Sequence, residues 1–195
     1  MYQIKLTHSG LSIGEIETMN NLFSKYLIYE NKIDHDYDYA SILDIELIKD
    51  RKISFFEFIS IEKWSFLIDI IKNIKKRRGK KGLKLTITIT EIDRDNQSNE
   101  DEYDELIVLK KIVFLLDHKD DLDFTKGLER IEITIENTNE MYEFQKSLEE
   151  QAANYKPTND KIQSKSGESG LELIFFKFDE SKRKWIKSID KYSTS

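Results

Sequence analysis

Cysteine is absent from this chain. Its absence excludes a disulfide framework, a thiolate metal site and a thiol nucleophile, and it fits a reducing compartment. Proline occurs once, at Pro157, and there is no long apolar run. The two most apolar stretches, Phe66–Ile74 and Leu106–Leu116, are broken by Asp69 and Lys72 and by Lys110 and Lys111, well short of a membrane span. The opening residues, Met1 to Leu6, lack the basic region and apolar run of a secretory leader, so a cytoplasmic protein with no membrane partner is expected. Also missing are the phosphate loop of nucleotide-binding proteins and the glycine fingerprint of dinucleotide folds. Gly167-Glu168-Ser169-Gly170-Leu171 lacks the last glycine of a nucleophile elbow and precedes a strand where the elbow must follow one. No cofactor is expected.

What the chain has in quantity is charge. Thirty-one Lys and Arg stand against 37 Asp and Glu, a net charge of −6 over 195 residues. A molecule of that sign repels phosphate as a whole and would meet nucleic acid only through a local patch. The length suits a single compact domain spanning 1–195, with 1–92 and 105–195 as sub-halves.

Hydrophobic periodicity predicts an α+β fold, mainly antiparallel, with amphipathic helices packed on the sheet. Tyr2–Thr7 alternates as a strand. Ser12 with Glu15 forms a capping box for a helix whose apolar positions run from Ile16 to about Tyr29. Ile42–Ile48 and Ile53–Ile59 read as a hairpin around Lys49-Asp50-Arg51-Lys52. Trp64, Leu67, Ile68, Ile71 and Ile74 mark a second helix, stopped by Gly79 and Gly82. Leu83, Leu85, Ile87 and Ile89 alternate with Lys84, Thr86, Thr88 and Thr90 as the clearest strand, one face buried and one wet. Residues 2–92 thus run β-α-β-β-α-β, the order of a split βαβ or ferredoxin-like unit. Further on, Leu106, Leu109, Val113 and Leu116 fit a helix, although Ile112–Leu116 also fits a buried strand. From there the order is β-α-β-β: a strand at Ile131–Ile135, a helix capped by Asn137 and running to Ala152, and a closing hairpin of Leu171–Phe178 with Lys184–Ile189. The proline-bearing stretch Lys156–Gly170 reads as a long loop.

Four constellations could carry function. Lys72, Lys75, Lys76, Arg77, Arg78, Lys80, Lys81 and Lys84 contain no acid among them. Six of these, Lys75, Lys76, Arg77, Arg78, Lys80 and Lys81, are the candidate binding residues for phosphate or for an acidic partner. Cations at a helix C-terminus also simply complement its dipole. Within the run, Gly79-Lys80-Lys81-Gly82 resembles the glycine-x-x-glycine loop of KH domains, but that loop joins two helices and here the pattern joins a helix to a strand. Phe55, Phe56 and Phe58, with Phe175, Phe176 and Phe178, are available as a stacking platform or as core.

The acidic loop 91–105 places Asp93, Asp95, Gln97, Asp101 and Asp104 at calcium-loop spacing. Ser98 stands where Gly is needed and Asp104 where a bidentate Glu belongs, so a solvated loop is the expectation. Pairing of this loop with the basic helix end would favour a homo-oligomer. His35 and His118 each sit among aspartates, which offers a metal-assisted hydrolase as one alternative. The leading expectation is a non-catalytic protein-interaction or regulatory protein, with nucleic-acid binding through the basic cluster as the other alternative. No catalytic residue and no metal ligand is assigned.

Overall fold

A computed structural model of the protein describes residues 2–34, 37–93, 107–138 and 171–188. In chain order its elements are β1 (Gln3–Ser9), α1 (Ile13–Leu22), β2 (Leu27–Lys32), β3 (Ser41–Asp50), α2 (Phe55–Phe58), α3 (Ile61–Arg77), β4 (Leu83–Asp93), β5 (Ile107–Leu116), α4 (Asp121–Glu129), β6 (Glu172–Asp179) and β7 (Lys184–Ser188). The seven strands form one mixed sheet in the order β2-β1-β3-β4-β5-β6-β7, so the class is α+β. Three neighbouring pairs, β1/β2, β3/β4 and β5/β6, are parallel. The other three, β1/β3, β4/β5 and β6/β7, are antiparallel. The expected antiparallel majority is therefore corrected to an even division. In a split βαβ unit another strand lies between the two that the helix connects. Here those strands are direct neighbours, so the arrangement is not ferredoxin-like. The β4/β5 pairing carries the sheet across both halves of the sequence.

Several elements differ from the expectation for identifiable reasons. The capping box at Ser12 and Glu15 forms, with the Ser12 amide donating to Glu15 Oε2 at 2.8 Å, but the helix stops at Leu22. Leu27 then donates its amide to the Tyr2 carbonyl, and Leu27–Lys32 leaves as a strand beside β1. Phe55–Phe58 is a short helix rather than a strand, because Ser54 and Glu57 make a second capping box. Residues 107–116 form a strand, not a helix: Lys110, Ile112, Phe114 and Leu116 point to one side and are buried. Residues 131–138 are helical instead of extended. Of the alternating isoleucines there, Ile131 and Ile135 enter the core while Ile133 is exposed, the i, i+4 pattern of a helix face. The helix expected from Asn137 to Ala152 lies outside the described residues beyond 138, as does the loop 156–170.

Strand alternation sorts side chains onto two faces. On one, Leu6, Ile45, Ile87, Phe114 and Phe176 lie side by side across five strands, and Ile4, Leu47, Ile89, Ile112 and Ile174 form the next row. All ten are buried in one core. Phe114 stacks on Phe176 with ring centres 5.2 Å apart. The helices α1, α3 and α4 cover this face, with α3 in contact with both others and sending Trp64, Leu67, Ile71 and Ile74 inward. No described helix is long and apolar enough to cross a membrane.

The contact between α4 and the sheet turns on Gly127. A side-chain carbon added there would run into Leu116 Cδ2 and press on the Phe178 ring, and the Gly127 carbonyl accepts a hydrogen bond from Trp185 Nε1 at 3.0 Å. Gly127→Ala should therefore destabilise the protein by about 1–3 kcal/mol, despite the gain in helix propensity. Urea unfolding monitored by Trp fluorescence measures the change.

Candidate functional site

The basic helix end is only partly available for binding. Lys75 is 2% exposed, and its ammonium donates to the Lys119 carbonyl at 2.7 Å and to Asp121 Oδ1 at 2.8 Å. Arg78 bonds Glu15 Oε2 and Ser41 Oγ, both at 2.5 Å, while the Ser41 hydroxyl donates to the Gly10 carbonyl. This ties the end of α3 to the start of α1 and of β3. Burial opposes the charge on Glu15, but the Ser12 amide and the Arg78 guanidinium outweigh it and hold the carboxyl below its usual range. Arg77 also reaches Glu15, at 3.4 Å, yet stays mostly exposed. Lys72 pairs with Glu129 of α4. Of the six candidate cations, Lys76, Arg77, Lys80 and Lys81 remain at the surface.

The loop Gly79-Lys80-Lys81-Gly82 is a single 3-10 turn between α3 and β4, and both glycines have positive φ, 53° and 73°. The acidic loop departs from the other end of β4. Glu91 is held by Lys49 at 2.8 Å and Asp93 by Arg51 at 3.3 Å, about 30 Å of strand away from Gly82. Residues 94–106 and His35 lie outside the described residues. His118 is buried against Glu180, 3.1 Å from Nε2. Its neighbour Asp120 caps α4 and Asp121 pairs with Lys75. Among the described residues no three His, Asp or Glu side chains gather as a metal centre. Phe55 and Phe58 are buried in the core, so they do not form a stacking platform.

A groove that sequence reasoning missed lies on the sheet face opposite the core. It has a volume of about 350 Å³ and is lined by Lys5 and Thr7 of β1, Asp44 and Glu46 of β3, Thr86 and Thr88 of β4, and Lys111 and Val113 of β5. The register builds it in rows: Lys5, Glu46, Thr88 and Val113 side by side, and Thr7, Asp44 and Thr86 in the next. Glu46 is saturated with donors. The Thr90 hydroxyl donates to its Oε1 at 2.6 Å, Lys111 lies 3.0 Å from the same oxygen, and Lys5 is 3.5 Å from Oε2. Burial works against ionisation of Glu46, but these donors prevail and its carboxyl titrates below the usual range.

Asp44, two residues away on the same face, behaves oppositely. Burial raises its pKa, offset only in part by the Thr86 hydroxyl and the charge of Lys84. Two carboxyls pushed apart in this way on one rigid strand mark a binding or proton-handling site more often than a random surface. The alternation Leu43-Asp44-Ile45-Glu46-Leu47 is the sequence signal that could have marked a wet face on β3. What places Lys5, Lys111 and the threonines around it is strand register.

A larger cavity of about 550 Å³ lies on the core side, between the helical residues 131–138 and strands β5–β7. Its floor of Ile174, Phe176 and Trp185 is core, and its lining runs out at Asn137 and Thr138, where this part of the described chain stops. Comparison of the chain with protein-family models, curated proteins and solved structures finds no match.

Two measurements check these assignments. Lys75→Ala should cost about 1–3 kcal/mol, since it removes a buried side chain together with its hydrogen bonds to the Lys119 carbonyl and Asp121, whereas Lys76→Ala should stay within about 0.5 kcal/mol of the parent. The carboxyls give opposite pH signatures. Glu46, with a lowered folded pKa, contributes stability above its unfolded pKa that is lost as pH falls through the folded value; Asp44, with a raised one, carries a penalty at neutral pH that acid relieves. Asp44→Asn should thus stabilise the protein at neutral pH, by roughly 0.5–1 kcal/mol. Glu46→Gln should destabilise it there and flatten its loss of stability in acid, both read from urea midpoints across a pH series.

Proposed function

We propose that the protein is a non-catalytic protein-interaction or regulatory protein that meets its partner through the mixed-charge groove on the side of the sheet that no described helix covers. The observation that carries this reading is Asp44. It is a partly buried carboxylate on β3, an interior strand of the sheet, where burial disfavours its charge. Proteins retain such disfavoured charges where a site needs them. The surrounding charges are set on four paired strands, which hold side chains more accurately than loops do. Charge complementarity of this kind favours selection of a partner over raw affinity.

The four surface cations of the helix end support the alternative, nucleic-acid binding, less well. Two of the original six serve the fold, and the net charge is −6.

The test is cross-linked capture from cytoplasm of the source cell, with Thr88→Tyr as the control, a change that fills the groove with a residue suited to strands. A partner recovered by the parent protein and lost with Thr88→Tyr supports the proposal. Equal recovery by both forms overturns it. In parallel, titration with single- and double-stranded nucleic acid across salt should show no specific binding. If Lys76, Arg77, Lys80 and Lys81 instead neutralise phosphates, log affinity on a duplex falls against log salt with a slope of about −3.6, and the alternative replaces the proposal.

A further inference from the structure

Around Asp44 the groove is lined differently from its other half. Across the strands its direct neighbours are Thr7 and Thr86, so this half presents a carboxylate flanked by two hydroxyls. The nitrogen donors of the groove belong to the other half, where Lys5 and Lys111 are both turned to Glu46. Among the described residues, no side chain forms an ion pair with Asp44; its attractions are the Thr86 hydroxyl and the charge of Lys84. An oxygen-lined subsite with an underpartnered carboxylate is complementary to a donor-rich cation. We infer that the groove receives an arginine side chain of the partner protein, its guanidinium against the Asp44 carboxylate and the hydroxyls of Thr7 and Thr86.

The inference rests on the interaction reading and specifies the chemistry of what is recognised. Guanidinium suits the position better than ammonium, because it is less strongly hydrated and offers planar paired donors to a carboxylate. A neutral ligand of the same shape would add no positive charge to that of Lys84, which is how the site would discriminate.

The experiment titrates the full chain with N-acetyl-arginine amide and follows the amide and side-chain resonances of Thr7, Thr86 and Thr88 by NMR. The neutral isostere N-acetyl-citrulline amide serves as one control and Asp44→Asn as the other. Weak saturable binding is expected at those resonances, about tenfold weaker for citrulline and lost in Asp44→Asn. That variant is expected to fold at least as stably as the parent, so lost binding cannot be ascribed to unfolding. Equal binding of arginine and citrulline, unchanged binding in Asp44→Asn, or shifts elsewhere on the surface overturns the inference. Its failure is separable from that of the interaction reading. If partner capture is lost with Thr88→Tyr but kept with Asp44→Asn, the groove remains the partner surface and arginine recognition at Asp44 falls.

Discussion

Burial of one face of the sheet is the constraint on which everything else in this molecule depends. Rows of Ile, Leu and Phe cross five strands on that face, and removing each such side chain from water contributes about 1.5–3 kcal/mol. Helices α1, α3 and α4 supply the cover, with α3 in the middle. Because strand side chains alternate, burying Leu43, Ile45 and Leu47 of β3 necessarily turns Asp44 and Glu46 the other way. The groove is thus a by-product of the core's geometry, and its charges sit on a framework that the core holds rigid.

The charged residues of α3 divide their labour along the same lines. Those that face neighbouring helices or strand starts are consumed by the fold: Lys72 on Glu129, Lys75 on Asp121 and the Lys119 carbonyl, Arg78 on Glu15 and Ser41. They fasten the middle helix to both of its flanking helices. A run of eight cations in sequence reads as one electrostatic feature, yet on a helix successive residues point in different directions. The apparent cluster resolves into fastenings and a smaller exposed remainder. The acidic loop and this basic end flank one strand in sequence, and for that very reason Glu91 and Asp93 are carried to the opposite end of β4.

Elements with a single consistent local signal were legible in the sequence. The Ser12–Glu15 capping box, the amphipathic α3 and the alternating β4 each combine propensity, pattern and punctuation. The closing hairpin around Asp179–Lys182 does the same. The elements misread were those where one pattern fits two periods. Ile131, Ile133 and Ile135 alternate like a strand, but only the first and last are buried, as on a helix. Residues 107–116 fit a helical spacing, but pairing with both β4 and β6 makes them a strand. The capping box of Ser54 and Glu57 was a usable signal for α2, masked by the aromatic run beside it.

What the sequence alone determined about this protein is its chemistry in the aggregate: no thiol chemistry, no membrane-spanning helix pattern, a mixed α and β class, and a basic helix end. It also determined which positions within β4 are wet. Only the tertiary structure decided that parallel and antiparallel pairings share one sheet, that Lys75 and Arg78 belong to the framework, and that Lys5, Asp44, Glu46, Thr86 and Lys111 meet. The physical reason is that alternation and capping are local, set within a few residues along the chain. Strand order and register depend on which distant rows can close one common core, and no window of sequence contains that information.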